Sequence, residues 1–144
     1  MEDTMCLHTK PDAFTLAVMW GWLITGLSLI ASSLYPFWSA SAVLRPSNWW
    51  VEDAIGIVLA LGAAMTLVAA SGNTYAVNRR WALDRTGMWF TAAGWAGYAL
   101  VAFTLAPHHA VHWIIAASFL VASLIRLHTL TRKLKAVEKS VRGM

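Results

Sequence analysis

Four long apolar runs dominate the sequence, at about 13–35, 52–71, 86–106 and 109–128. At a rise of 1.5 Å per residue, roughly 17 to 25 helical residues cross a hydrocarbon layer about 30 Å thick. A backbone in lipid must satisfy its own hydrogen bonds, which leaves helices or closed barrels, and these runs lack the alternation of barrel strands. We therefore predict an all-α integral membrane four-helix bundle over residues 1–128, followed by a tail at 129–144.

The composition supports this class of protein. The chain is 58% hydrophobic and 12% charged, whereas soluble domains carry about 25% charged residues. It therefore has too little polar material to cover a soluble core. The net charge of +4 comes from basic residues that flank the apolar runs, which indicates membrane topology and no nucleic-acid partner.

The distribution of Lys and Arg predicts the orientation. Of the 11 Lys and Arg residues, only Arg45 falls on one side of the predicted layout. Cytoplasmic loops carry the excess of basic residues. We therefore expect a multi-pass protein of the plasma (inner) membrane, with both termini and the loop around Arg79 in the cytoplasm.

Small and hydroxyl residues recur along the predicted spans, often at four-residue spacing. Such positions let helix backbones approach closely, and in lipid helices associate through packing and polar contacts. The contacts could form within one chain or between chains. The predicted helix-packing residues are Gly21, Thr25, Gly56, Ala60, Ala64, Ala93, Gly94 and Gly97.

Acidic residues stand at predicted helix starts. Glu52 and Asp53 fall in the first turn of the second helix and Asp84 just before the third, where carboxylates favour the positive end of the helix dipole. No Asp, Glu or Lys lies in the middle of a span, and Arg126 at the end of the fourth can extend to the interface. This pattern argues against proton-coupled transport and ion-selective pores.

Catalytic and metal-binding motifs are not visible in the sequence. No phosphate loop, nucleophile elbow, HExxH or paired-carboxylate arrangement occurs, so we predict no enzyme activity, no catalytic residue and no cofactor. His108, His109 and His112 cluster in the short outer loop. Two imidazoles at i and i+4 can bind zinc or copper, but a site needs at least a third ligand. We predict solvated histidines and no metal.

The C-terminal segment combines apolar spacing with positive charge. Leucines and valines recur every three or four residues from Leu127 to Val141, which predicts an amphipathic continuation of the fourth helix. Two heptads are short for a coiled coil, so we favour a helix on the anionic inner leaflet. The predicted membrane-surface residues are Arg132, Lys133, Lys135, Lys139 and Arg142.

The stretch from Arg80 to Phe90 (RWALDRTGMWF), followed by Gly94 and Tyr98, resembles a pattern in small four-pass membrane proteins of actinobacterial bacteriophages. Those proteins are described as holins or simply as membrane proteins. The resemblance covers chiefly the second loop and the third helix, and it carries no catalytic residue.

The resemblance implies a holin-like role. Many copies would collect in the host inner membrane, with the lipid bilayer and further copies of the chain as partners, and finally open it for an endolysin. The alternatives are a small accessory or structural subunit of a larger membrane complex, or a membrane protein that excludes competing phage.

The distribution of basic residues gives a direct test of topology. Reporter fusions after Met144 and within 79–85 should both report the cytoplasm, and a fusion beside Arg45 should report the outside. A periplasmic C-terminus would overturn the predicted orientation.

Overall fold

The computed structural model describes residues 13–34, 49–71 and 77–142. Tyr35, Arg45 and residues 143–144 lie outside them. Within these ranges every element is an α-helix, so the all-helical prediction is confirmed. The helices are α1 (Ala13–Leu34), α2 (Trp49–Ser71), α3 (Val77–Leu105) and α4 (Ala110–Arg142).

Each of the four helices is long and apolar enough to cross a membrane. The segments that meet this criterion are Thr15–Ser32, Trp50–Ser71, Arg79–Leu105 and Ala110–Lys133. They overlap the four apolar runs of the sequence. A chain with this layout fits a multi-pass membrane protein.

Two helices extend beyond the apolar runs. α3 begins at Val77, so Asp84 lies inside the helix, and the prediction that it stands before the helix start is wrong. Glu52 does fall in the first turn of α2, whereas Asp53, predicted for the same turn, lies one residue beyond it. α4 continues without interruption to Arg142 over 33 residues, about 50 Å of helix. Helix formation does not require apolar residues, which is why hydropathy underestimates both lengths.

Consecutive helices pack against each other along the chain. α1 packs on α2, α2 on α3, and α3 on α4. A tight turn joins the last two helices, where the His109 N–H donates to the Ala106 carbonyl at 3.0 Å. One buried cluster draws on all four helices. Its members are Trp22, Leu29, Ile55, Leu59, Ala63, Met88, Trp95, Ala116 and Leu127.

The sizes of the side chains inside and outside are unusual for a soluble protein. Fully buried positions include the hydroxyl residues Thr66, Thr91 and Ser123. Large apolar side chains such as Leu100 and Ile125 are more than half exposed. In water such a surface would promote aggregation. In a bilayer the same surface faces lipid tails at no such cost, because the tails are as apolar as these side chains.

Two reciprocal glycine contacts set the close approach of the first three helices. A Cβ on Gly26 of α1 would lie 2.8 Å from the Gly56 carbonyl oxygen, and one on Gly56 of α2 would lie 2.8 Å from the Gly26 carbonyl oxygen. A Cβ on Gly62 of α2 would lie 2.8 Å from the Gly87 oxygen of α3, and one on Gly87 would lie 2.7 Å from the Gly62 oxygen. At both crossings the backbones touch, so only glycine fits.

These contacts predict which glycines tolerate a methyl group. Gly26→Ala and Gly62→Ala should each lower the free energy of unfolding by about 1 to 3 kcal/mol, because the added Cβ meets backbone atoms that cannot shift alone. Unfolding in mixed detergent micelles measures the change.

Gly21→Ala and Gly97→Ala are matched controls. A Cβ at Gly21 has nothing within 4 Å, and one at Gly97 meets Ile55 at 3.5 Å, an ordinary contact. Both should be neutral or stabilising by up to about 1 kcal/mol, since alanine favours helix over glycine. Equal effects at all four positions would contradict the assigned crossings.

Candidate functional site

Four of the residues predicted for helix packing lie at contacts within the chain. Gly56 and Ala60 pack against Gly26, where a Cβ on Gly26 would lie 2.6 Å from the Ala60 nitrogen. A Cβ on Gly94 would lie 2.7 Å from the side chain of Leu59. Gly97 is in looser contact with Ile55, as described above. These four small residues of α2 and α3 therefore serve intramolecular contacts.

The other four predicted positions are more open. Gly21 and Ala93 are exposed, and Thr25 and Ala64 are half-buried. The Thr25 hydroxyl donates to the Gly21 carbonyl at 2.8 Å, so its polar group is satisfied by its own helix. Gly21 on α1 and Ala93 on α3 are thus small residues on the outer surface of the chain.

Sequence reasoning missed four residues at the closest contacts: Gly26, Gly62, Gly87 and Thr91. A signal for three of these residues was present, since Gly87 and Thr91 are four residues apart and Gly62 stands four residues before Thr66. For α1 the misleading feature was a second stripe. Gly21 and Thr25 form a run of small residues beside the buried stripe that contains Trp22, Gly26 and Leu29.

The buried hydroxyls bond to their own helices. Thr66 donates to the Ala63 carbonyl at 2.8 Å, Thr91 to the Gly87 carbonyl at 2.9 Å, and Ser123 to the Phe119 carbonyl at 2.8 Å. Such back-bonding satisfies the hydroxyl without reaching a neighbouring helix. At these positions the helices are therefore held together by close packing and not by hydrogen bonds between these hydroxyls and a neighbouring helix.

An ion pair joins α3 to α4 near the predicted inner face. Nη2 of Arg126 lies 3.4 Å from Oδ2 of Asp84, and the exposed fractions of the two side chains are 29% and 8%. Both residues fall within segments that could span a membrane. Isolated charges in that environment are costly, so pairing them is the expected arrangement. Arg126, which was expected to extend to the membrane interface, therefore also forms an ion pair with Asp84.

A second polar contact joins the C-terminal end of α1 to the N-terminal end of α2. The Ser32 hydroxyl donates to Oε1 of Glu52 at 2.7 Å, and both groups are partly buried. The same hydroxyl lies 2.7 Å from the Leu29 carbonyl. Glu52 thus has a hydrogen-bond partner on a neighbouring helix as well as a place in the first turn of α2.

The three histidines lie together at the turn between α3 and α4. The ring centroids of His108 and His109 are 4.7 Å apart, and those of His109 and His112 are 5.9 Å apart. All three are exposed. α4 begins only at Ala110, so His108 precedes the helix. Among the residues that the structure describes, no group of three or more His, Cys, Asp or Glu could hold a metal ion.

The basic residues of the tail lie on the last turns of α4. Arg132, Lys133, Lys135 and Lys139 are exposed, whereas the side chain of Arg142 lies outside those described. They form one continuous helix with the fourth span. The tail is therefore an extension of that span, and its charges begin at Arg132, one residue before the apolar segment ends at Lys133.

Comparison with known proteins adds no relative. The chain matches no model of a known protein family, no curated protein and no solved structure.

The ion pair predicts an asymmetric response to mutation. Arg126→Met should lower the free energy of unfolding by about 3 kcal/mol, because it removes the basic partner of the more deeply buried carboxylate. Asp84→Asn should cost less, since the more exposed Arg126 can turn toward the headgroups. Mixed-micelle unfolding measures both.

A double-mutant cycle completes the test. Asp84→Asn combined with Arg126→Met should be more stable than the sum of the single effects allows, because neither charge is left without the other. Strict additivity would show that the two side chains do not stabilise each other.

Proposed function

We propose that this chain is a holin-like protein that associates with copies of itself in a bacterial inner membrane and permeabilises or depolarises it. The observation that carries the proposal is the outer surface. Large apolar side chains cover the outside of the helices, and small residues interrupt them at Gly21 and Ala93. These are positions where a second helix could approach closely.

The buried and exposed small residues determine where contacts between copies would form. Gly56, Ala60 and Gly94 pack inside the chain, so a second copy would not meet them without displacing a helix. Gly21, where an added Cβ meets nothing within 4 Å, and the exposed Ala93 are free of that conflict. Contacts between copies therefore run through the outer faces of α1 and α3.

The proposal includes the orientation and the tail. Both termini face the cytoplasm, which places the Asp84–Arg126 pair near the inner leaflet. Arg132, Lys133, Lys135, Lys139 and Arg142 then leave the membrane at the level of the anionic headgroups, where each charge is attracted by about 1 kcal/mol. Because α4 is continuous, the tail binds headgroups along its base and extends away from the surface beyond it.

A second candidate, an accessory subunit of a larger membrane complex, has support from α4. Of the four helices, α4 buries the smallest share of its span, and its backbone packs on α3 alone among the helices described. The exposed side chains of this helix include Val111, Ile114, Ile115, Val121, Leu124 and Ile125. A larger partner could cover this face.

Expression in bacteria tests the holin-like proposal. The wild-type chain should depolarise the membrane and release a co-expressed endolysin. A voltage-sensitive dye measures the depolarisation. Gly21→Leu and Ala93→Leu should weaken association and delay both effects, because bulky side chains hold the outer faces apart. A loss of about 1.4 kcal/mol per contact lowers the association constant tenfold.

The control is Val121→Leu, which changes an exposed apolar residue on α4 and should leave the timing unchanged. Oligomer size in mild detergent should follow the same order as depolarisation. A chain that remains monomeric, keeps the membrane potential intact at high expression and releases no endolysin would rule out the proposal in favour of the accessory subunit.

A further inference from the structure

The first and last helices meet in a different way from the other neighbours. α1–α2, α2–α3 and α3–α4 each pack with their backbones close together, but no Cα atom of α1 lies within 8 Å of one of α4 among the residues described. We call this boundary the α1–α4 seam. Only side chains bridge it.

Aromatic rings form that bridge. The centroid of Trp22 on α1 lies 6.0 Å from that of Phe119 on α4, with the ring planes at 81°. Trp95 of α3 lies 4.8 Å from Phe119 and 6.5 Å from Trp22. Edge-to-face contacts of this kind are favourable over a range of separations. They constrain two helices less than a crossing at which backbone atoms touch.

The same rings contain two buried polar groups. Nε1 of Trp22 and Nε1 of Trp95 are enclosed and have no acceptor among the described residues, and the two residues are 6% and 5% exposed. A buried N–H without an acceptor is unfavourable because it has lost its bonds to solvent. Any opening of the seam that brings an oxygen to these groups therefore recovers free energy.

We propose that the α1–α4 seam is a lateral gate. α1 and α4 move apart while the glycine crossings hold α1 on α2 and α2 on α3, and the indole N–H groups of Trp22 and Trp95 then bond to water or to lipid ester carbonyls. The closed state is held by Trp22 and Phe119. This inference does not depend on the proposed permeabilising activity.

Distances between spin labels in liposomes test the gate on the full-length chain. With Cys6→Ser as background, one pair carries Ile24→Cys and Val121→Cys, on exposed positions of α1 and α4. The reference pair carries Leu61→Cys and Phe90→Cys, on exposed positions of α2 and α3. We expect two distances across the seam and a single narrow one between α2 and α3. A single distance across the seam, as narrow as the reference, would overturn the proposal.

Two changes at the seam should shift the populations in opposite directions. Replacing Trp22 by 3-benzothienylalanine keeps the bicyclic ring but has sulfur in place of the N–H. It should raise the ratio of closed to open molecules at least fivefold, about 1 kcal/mol. Phe119→Ala should lower the ratio at least fivefold, whereas Phe103→Ala, an exposed ring on α3 that contacts Trp113, should leave it unchanged. Shifts in the same direction from the first two changes would overturn the role of the indole donors.

Discussion

At two helix crossings in this protein, the backbone carbonyl of one glycine lies against the α carbon of another. Apolar burial gives helices little reason to associate in lipid, so their contacts depend on how many atoms touch. Gly26 against Gly56, and Gly62 against Gly87, allow backbone contact at two successive interfaces. α2 takes part in both crossings, and the positions of α1 and α3 follow from it. Larger residues such as Trp22 and Trp95 can fill the centre because the glycines determine the spacing elsewhere.

The α3–α4 hairpin is stabilised in another way. α4 contains no glycine, and its interface with α3 instead has the tight turn after Ala106, small residues such as Ala116 and the Asp84–Arg126 pair. Turn and ion pair lie at opposite ends of the hairpin. A single charge pair within segments that could span a membrane restricts the register of the two helices, since sliding by one turn would separate the charges. The ion pair thus fixes the position of α4 against α3, as the glycine contacts fix the positions of α1 and α3 against α2.

The sequence predicted the number and approximate place of the helices, because an apolar run of this length has few alternatives in a bilayer. It did not predict that α3 begins at Val77, since the charged residues Arg79, Arg80 and Asp84 interrupt the apolar run, whereas the helix continues through them. The sequence also did not predict which face of α1 contacts α2. Gly21 and Gly26 are equally small, and only the fit to Gly56 and Ala60 distinguishes the buried glycine from the exposed one.

The helix interfaces of the bundle differ in how tightly they hold their helices, and this difference determines where the helices can move. Two interfaces rest on backbone contact and a third on a turn with an ion pair, whereas among the described residues the α1–α4 seam is bridged by side chains, including the rings of Trp22 and Phe119. Motion should therefore concentrate at the seam, where separation breaks the fewest contacts and gives two indole donors access to acceptors. If copies associate through Gly21 of α1 and Ala93 of α3, as proposed, a neighbouring copy would contact α1 and stabilise one position of it. Association and seam opening would then be linked through α1, the helix that takes part in both.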